Sequence, residues 1–486
     1  MLKNGMCENL TFNECELFIL RQSVDNVKFR STQEELKSPE IKIIFDILEN
    51  FIKRKKLILY GGTAINNILP KKDQYYDKKN ELPDYDVYSK NSINDAKELV
   101  DLYTFHGFKE TEAKSAIHAG TYKIYVNFIP VADITQVPQK LFDAISKEAI
   151  IVDGMLHCDA NLLRMSIYLE LSRPLGDASR WEKILKRLIL LNKNYPLKSK
   201  NCDSINFQRN MKISSEGDKI FNIFKKVFID EGVVFFGAYA LSKYSKYMPK
   251  NLKKKFSKIP DFDVLSINPF VVANKIKKKL NENGINNCNI VKHSKIGEII
   301  PEHYDIQIGK DSVAFIYNPI ACHSYNVIKE GKYKLKIATI DTMLSFYLAF
   351  LYADLEHYDK KRILCMSKYL FEVQSRNRLA QKGVLKRFSI NCYGHQKTLK
   401  EIFAEKSEKF QKIKKNSKEY EKYFLRYRTN KNKIKNNKNK TNKTKKNIKN
   451  KKIDMIYKNN IVNKTNKIKK YKKNINYNKT KKNYKI

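Results

Sequence analysis

Two octapeptides decide how this chain is read: Leu82-Pro83-Asp84-Tyr85-Asp86-Val87-Tyr88-Ser89 and Ile259-Pro260-Asp261-Phe262-Asp263-Val264-Leu265-Ser266. They share five identities, and both alternate apolar and acidic residues in the manner of a half-buried strand. Their surroundings repeat as well. Before the first, Ile41, Ile44, Phe45, Leu48 and Ile52 recur at helical spacing, and Leu57–Tyr60 reads as a short buried strand ending at Gly61-Gly62. Before the second, Ile220, Phe224 and Val227 mark the helix, Val233–Phe236 the strand and Gly237 the turn. This alignment sets Phe236-Gly237-Ala238 against Gly61-Gly62-Thr63, with 22 residues from Gly62 to Asp84 and 24 from Gly237 to Asp261.

After each octapeptide the pattern predicts a helix, from Ser92 to a stop at Gly107 and from Pro269 to a stop at Gly284. Strands follow, Thr121–Phe128 and Val131–Thr135 in one half, Asp305–Ile308 and Val313–Tyr317 in the other. Both halves then run into helices, with Leu162, Met165 and Leu169 or Met343, Phe346 and Phe350 at the spacing of a buried stripe. The expected fold class is α+β, with two tandem modules of mixed sheet and flanking helices. The expected division is an N-terminal segment 1–40, a first module 41–196, a linker 197–214, a second module with a helical end 215–425, and a tail 426–486.

The 486 residues carry a formal charge of +44. Residues 426–486 hold 24 Lys and Arg against Asp454 as the one acid. A segment so rich in Lys and Asn cannot bury enough surface to offset its chain entropy, so disorder is expected there. Such a tail tethers polyanions, or it reflects the codon usage of an AT-rich genome, which the abundance of Asn, Lys, Ile and Tyr also fits. Over the full chain 42% hydrophobic residues exclude a wholly disordered protein. The longest apolar stretch, Met343–Ala353, is far shorter than the roughly 20 residues of a membrane span. The start lacks a secretory apolar core, so no membrane partner and a cytosolic or nuclear site are expected. Eight cysteines without paired spacing read as reduced thiols; His157-Cys158 and Cys392 with His395 are at most half-sites for a metal.

Asp84 and Asp86 lie two apart, on one face of a strand with Cα atoms roughly 6.5 Å apart. With a third acid from a neighbouring strand, such a face can bridge two hard cations about 3.5–4 Å apart. Asp133, in Val131-Ala132-Asp133-Ile134, is the natural third. Gly61-Gly62-Thr63 supplies the complement, a turn whose backbone N–H groups can approach a phosphate, with a hydroxyl at the start of a helix. In the second half Asp261 and Asp263 persist, but Phe315 stands where the third acid belongs, unless Asp305 supplies it. Tyr85, Tyr88, Tyr122 and Tyr125 surround the first site, where such residues either stack on bases or fill a core. Trp181 reads as a packing anchor.

The run Tyr60-Gly-Gly-Thr-Ala-Ile-Asn66, the octapeptide at 82–89, Gly120-Thr-Tyr-Lys-Ile-Tyr125 and Leu163-Arg-Met-Ser-Ile-Tyr-Leu-Glu-Leu-Ser-Arg-Pro174 together resemble the DNA polymerase beta-like nucleotidyltransferase superfamily. Within it they resemble the poly(A) polymerase catalytic subunits of giant viruses and, more distantly, of poxviruses, best over residues 41–196. The long gap from Gly62 to Asp84 departs from the cellular branch. The resemblance implies template-independent addition of AMP from ATP to the 3′ end of mRNA. It makes Asp84, Asp86 and Asp133 catalytic ligands of Mg²⁺ or Mn²⁺, and Gly61, Gly62 and Thr63 contacts to the triphosphate. Lys123 and Arg164 become contacts to phosphate or RNA, and the second module becomes a degenerate copy. It also implies a homodimer with no obligatory processivity subunit, in the host-cell cytoplasm at the viral factory, with packaging in the virion as a further option. Uridylation or CCA addition, and a non-catalytic RNA-binding scaffold, are the competing readings, because base choice rests on pocket contacts that sequence does not place.

Overall fold

The apolar rhythm at residues 41–52 becomes helix α2 (Pro39–Lys55), opened by Pro39 in its first turn and closed by Lys56 in the left-handed region. The computed structural model describes residues 7, 10–36, 38–76, 82–212, 216–355, 357–377 and 380–429. The first half contains α1 (Phe12–Leu36), α2, β1 (Ile58–Tyr60), α3 (Gly61–Ile68), β2 (Tyr85–Ser89), α4 (Ser92–Phe105), β3 (Thr111–Ser115), β4 (Thr121–Val126), β5 (Ile129–Gln136), α5 (Gln139–Glu148), β6 (Ile150–Val152), β7 (Met155–His157), α6 (Ala160–Leu171) and α7 (Trp181–Asn194). The second contains α8 (Gly217–Asp230), β8 (Val234–Phe235), α9 (Ala238–Ser242), β9 (Phe262–Leu265), α10 (Pro269–Glu282), β10 (Cys288–His293), β11 (His303–Ile308), β12 (Asp311–Tyr317), β13 (His323–Glu330), β14 (Tyr333–Ala338), α11 (Ile340–Phe350) and α12 (Lys360–Asn377). β15 (Cys392–Tyr393), α13 (Leu399–Lys412), α14 (Lys418–Phe424) and β16 (Arg426–Tyr427) complete the chain.

One sheet runs β16-β3-β4-β5-β2-β1-β7-β6 and the other β10-β11-β12-β9-β8-β14-β13-β15. Apart from β16 and β15, the two orders coincide strand for strand. The senses coincide too: β5 with β2 and β1 with β7 are parallel, as are β12 with β9 and β8 with β14, and the remaining pairs of the two series are antiparallel. Strand register shifts the glycine alignment by one. Tyr60 pairs with Asp86, and Phe235 pairs with Val264, so Phe236 stands opposite Asp263 and donates its N–H to that residue's carbonyl. Gly237 therefore matches Gly61, Ala238 matches Gly62 and Tyr239 matches Thr63.

The apolar stretch at 343–353 is largely α11, every residue of which is buried. It packs on α6 of the first half, so one hydrophobic core runs through both halves. Its length suits an inner helix, and no helix among the described residues is long and apolar enough to cross a membrane. Trp181 packs on Phe388, at 5.7 Å between ring centres.

Two expectations change at the chain's end. Helices α13 and α14 return to the first half, where α14 meets β3, and β16 pairs with β3. Residues 426–429, expected in the disordered tail, are thus tied to a sheet. Arg426 and Arg428 engage Glu112, and the Tyr427 and Thr429 hydroxyls donate to Asp101. Residues 430–486 lie outside the described residues. The cysteines also differ from expectation. Cys7–Cys15, Cys202–Cys365 and Cys322–Cys392 are disulfide-bonded, while Cys158 and Cys288 are free and buried. Two of these pairs are 163 and 70 residues apart in sequence, a proximity created by folding that spacing does not reveal.

Candidate active site

Pairing of β2 with both β1 and β5 sets Asp86 between Tyr60 and Asp133, so Asp86 and Asp133 sit side by side in register. Alternation along β5 buries Ala132 and Ile134 and leaves Asp133 half-buried on the opposite side, while Val131 is buried at a register shift against β4. Asp84, exposed, lies immediately before β2. The same alternation sends Tyr85 and Tyr122 into the core, with 2% and 1% exposure; Tyr85 donates to Glu49. Neither is a platform for a base. Tyr88 is on the acidic face and stacks on Tyr60, with ring centres 4.0 Å apart.

Gly61 has φ +72 and lies so close to β2 that a Cβ there would overlap the Asp86 carboxylate. At Gly62 a Cβ would lie 2.8 Å from the Tyr76 hydroxyl and 2.9 Å from the Arg187 guanidinium. The glycine pair therefore solves two close approaches, one to an acid and one to a base. Over this turn folds the segment after α3. Asn66 Oδ1 accepts the N–H groups of Tyr75 and Tyr76 at 2.8 and 2.9 Å, and the Tyr75 hydroxyl donates to the Gly62 carbonyl at 2.7 Å. The Arg187 guanidinium lies 5.2 and 5.5 Å from those two ring centres, and its buried Nε has no hydrogen-bond partner among the described residues.

Three expected contacts come out differently. Thr63 is 5% exposed, and its hydroxyl donates to the Asp84 carbonyl at 2.5 Å, so it fixes the entry to β2. Lys123 lies opposite Asp133 in the β4–β5 ladder and grips its two oxygens at 3.1 and 2.8 Å. Burial pulls the Lys123 ammonium down, but Asp133 outweighs it and holds the group charged above its usual range. Arg164 is not at the site. It is fully buried on α6, and its guanidinium is spent on Asn192, Asn161 and the Tyr195 carbonyl.

Burial, then Asp84 and Asp133, push the Asp86 carboxyl up to about 7, against partial relief from Lys123 and Arg180. Burial also raises Asp133 despite Lys123. No group of three His, Cys, Asp or Glu side chains among the described residues is arranged to hold a metal as it stands, the three acids included. The donor chemistry nevertheless fits a hard cation. All three groups are carboxylates, and the negative charge gathered around Asp86 exceeds what Lys123 and Arg180 offset.

Arg187 was missed by sequence reasoning, although a signal was there. It lies on the stripe Ile184, Leu188, Leu191 of α7, where a charge is out of place unless it reaches a site. Tyr75 and Tyr76 carried no comparable signal.

The second sheet has the same frame with other occupants. Asp263 pairs with Phe315 as Asp86 pairs with Asp133, and Asp305 faces Phe315 where Lys123 faces Asp133. Asp305 thus takes the lysine's place in the ladder and not the third acid's. Between Asp261 and Asp263 lies Arg209, from the linker. It forms an ion pair with Asp261, donates to Asp263 at 3.1 Å and sits 4.6 Å from the Phe315 ring centre.

Residues 46–177 match the model of the poly(A) polymerase catalytic subunit family. A protein named for that subunit in African swine fever virus (isolate Pig/Kenya/KEN-50/1950) is 33% identical over 181 residues, 36% of this chain and 38% of the relative. A protein of the same name from Acanthamoeba polyphaga mimivirus is 33% identical over 162 residues, 32% of this chain and 27% of the relative. The chain thus aligns with under two-fifths of the length of these relatives. The crystal structure of the Megavirus polyadenylate synthase superposes with a TM-score of 0.71 at 20% identity, over 88% of each chain. The mixed α+β fold is therefore shared with that enzyme, and the resemblance to giant-virus poly(A) polymerases drawn from the sequence is borne out.

Proposed function

We propose that the chain is a template-independent poly(A) polymerase that transfers AMP from ATP to the 3′ end of mRNA. The observation that carries this reading is the register of Asp86 beside Asp133, one residue pair from a glycine turn that meets an acid on one side and a guanidinium on the other. The match of residues 46–177 to the polymerase family supports it. The 3′ hydroxyl of the RNA attacks the α-phosphorus of ATP, and pyrophosphate leaves. Asp84, Asp86 and Asp133 would hold Mg²⁺ or Mn²⁺, whose charge, when bound, makes a hydroxyl more acidic and neutralises oxyanions. The chain's own part is positioning. Gly61 lets the turn close on Asp86, Gly62 leaves room for the Arg187 guanidinium, which would meet polyphosphate, and Thr63 pins the backbone at Asp84, at the entry to β2. Lys123 holds Asp133 in place.

In this reading residues 41–196 form the catalytic module and 215–425, joined through 197–214, a degenerate copy, which the identical strand order supports, with a helical end that returns to the first sheet. The basic tail, beginning past β16, would hold RNA through its backbone. A homodimer without an obligatory processivity subunit, working in the host-cell cytoplasm with virion packaging as an option, is the corresponding assembly and place.

Primer extension with labelled RNA, Mg²⁺ and each NTP separately tests the proposal. Extension with ATP that vanishes in Asp84→Ala/Asp86→Ala is expected. Extension with UTP or CTP instead would keep the chemistry and overturn the base, while RNA binding without extension by any NTP would overturn the enzyme.

A further inference from the structure

The second half holds a cavity of about 320 Å³ beside α9, at the place where the first half carries its glycine turn and α3. Lys225, Lys243, Lys254 and Lys258 line it, together with Tyr239 and Glu330. Asp261 also borders it but is neutralised by Arg209. Glu330 is thus the one unneutralised acid among four lining lysines, and Lys225 and Lys243 reach it.

The way Glu330 is held shows what the cavity is built to grip. Its Oε1 accepts from Lys225 at 2.5 Å and from the Tyr239 hydroxyl at 3.3 Å, and its other oxygen accepts from Lys243. Burial would raise this carboxyl, but the two lysines outweigh it and hold the group below its usual range. Two ammonium groups and a hydroxyl converging on an oxyanion are the donor set that phosphate oxygens use. Lys243 is further fixed 4.2 Å from the Tyr239 ring centre, and Lys254 is anchored on the carbonyls of Cys202, Asp203 and Ile205. Lys258 is exposed at the rim. The volume falls within the range of small-molecule sites.

We propose that this cavity is a second anion site that takes phosphate groups, those of a nucleoside polyphosphate or of an RNA backbone, with the Glu330 carboxylate as the built-in competitor. The site performs no chemistry, because Arg209 fills the space between Asp261 and Asp263 and Phe315 replaces the third acid. It stands or falls separately from the polymerase reading, since none of its residues belongs to the catalytic face.

Calorimetric titration of the full chain with tripolyphosphate provides the test. Lys243→Ala/Lys258→Ala should weaken one binding component about tenfold, as loss of charged hydrogen bonds does, and Glu330→Gln should tighten the same component several-fold. Equal binding in all three proteins overturns the proposal. If the double variant melts early, exposed Lys258→Ala alone carries the test, with a smaller loss expected and no change overturning it. Displacement of the tripolyphosphate by ATP or by an oligo(A) strand supports the site and assigns the source of its phosphate. Displacement by neither would overturn it, leaving only an adventitious polyanion sink.

Discussion

Two pairs of aspartates occupy matching positions in the two sheets and differ in what answers their charge. Among the described residues no cation lies between Asp84 and Asp86, and the Asp86 carboxyl is pushed up to about 7. Asp261 and Asp263 are bridged by Arg209, whose guanidinium burial would weaken but the two carboxylates hold firmly charged. Buried negative charge must be neutralised by protonation, by an added cation or by a residue. In the first sheet Lys123 pairs with Asp133 and only partly offsets the charge around Asp86. The second sheet supplies the cation from its own linker and closes the question. One backbone thus answers the same pair of acids in two ways, and three differences, Asp133 against Phe315, Lys123 against Asp305 and the presence of Arg209, separate them.

The comparison breaks first on activity. Asp84→Ala/Asp86→Ala should lower AMP incorporation about a thousandfold, on the order of 4 kcal/mol in the transition state, while Asp261→Asn/Asp263→Asn should leave turnover per folded molecule near wild type. Equal losses in the two variants, read by primer extension, would make both sheets catalytic. It breaks next on stability. Arg209→Ala removes the cation that bridges two carboxylates, leaving Asp261 only the backbone N–H of residue 209, and should cost about 3–5 kcal/mol by urea denaturation. Lys123→Ala, at a lysine 42% exposed, should cost under about 1 kcal/mol. A neutral Arg209→Ala would show that the arginine is no brace.

The acids were legible because a strand's period of two and its apolar flanks survive in sequence, and the stops at Gly107 and Gly284 bounded α4 and α10 closely. What register decides was less legible. The glycines were aligned by identity, one position away from where pairing with Asp86 and Asp263 sets them, because the second half keeps only the glycine that meets its acid. Strands β6 and β7, three residues each, carry too little pattern to be seen. Arg209 lies in a polar linker with no periodicity, so nothing local marks it, and its partners are 52 and 54 residues away. The motif around Arg164 implies a contact to phosphate or RNA. The buried stripe of α6 around it pointed the other way, to a structural arginine.

Acid should separate the halves. In the second half burial, joined by neighbouring positive groups, holds His303 at about 4 and His357 at about 3, below the ordinary 6.5; burial and Arg173 hold His323 at about 3. His293, Arg209 and Arg362 face this cluster. Because the folded values are depressed, the stability these residues contribute is complete above pH 6.5 and is lost as pH falls toward 4 and below. Thermal melts across that window should show the second half weakening first, by hydrogen exchange resolved to β11, β13 and α11. Simultaneous loss in β2 and β5 would mean that the shared core at α6 and α11 makes one cooperative unit and that the halves differ only in chemistry.

The most local effect concerns the strap that ties the chain's end to the first sheet. Burial would raise the Glu112 carboxyl, but Lys114, Arg426 and Arg428 outweigh it and hold it at about 2, below the ordinary 4.5. That contribution is present above pH 4.5 and is lost as pH falls toward 2, a window below that of the histidines. Glu112→Gln at neutral pH should mimic the loss, since an amide accepts from Arg426 without its charge. Amide exchange at Ser115, whose N–H donates to the Leu425 carbonyl at 2.9 Å, should then speed up roughly tenfold, with incorporation on a short primer unchanged. If exchange there is unaffected, β16 is held by its backbone pairing alone. The ion pairs at Glu112 would then be surface charge of the kind that adds little, unlike the buried one at Arg209.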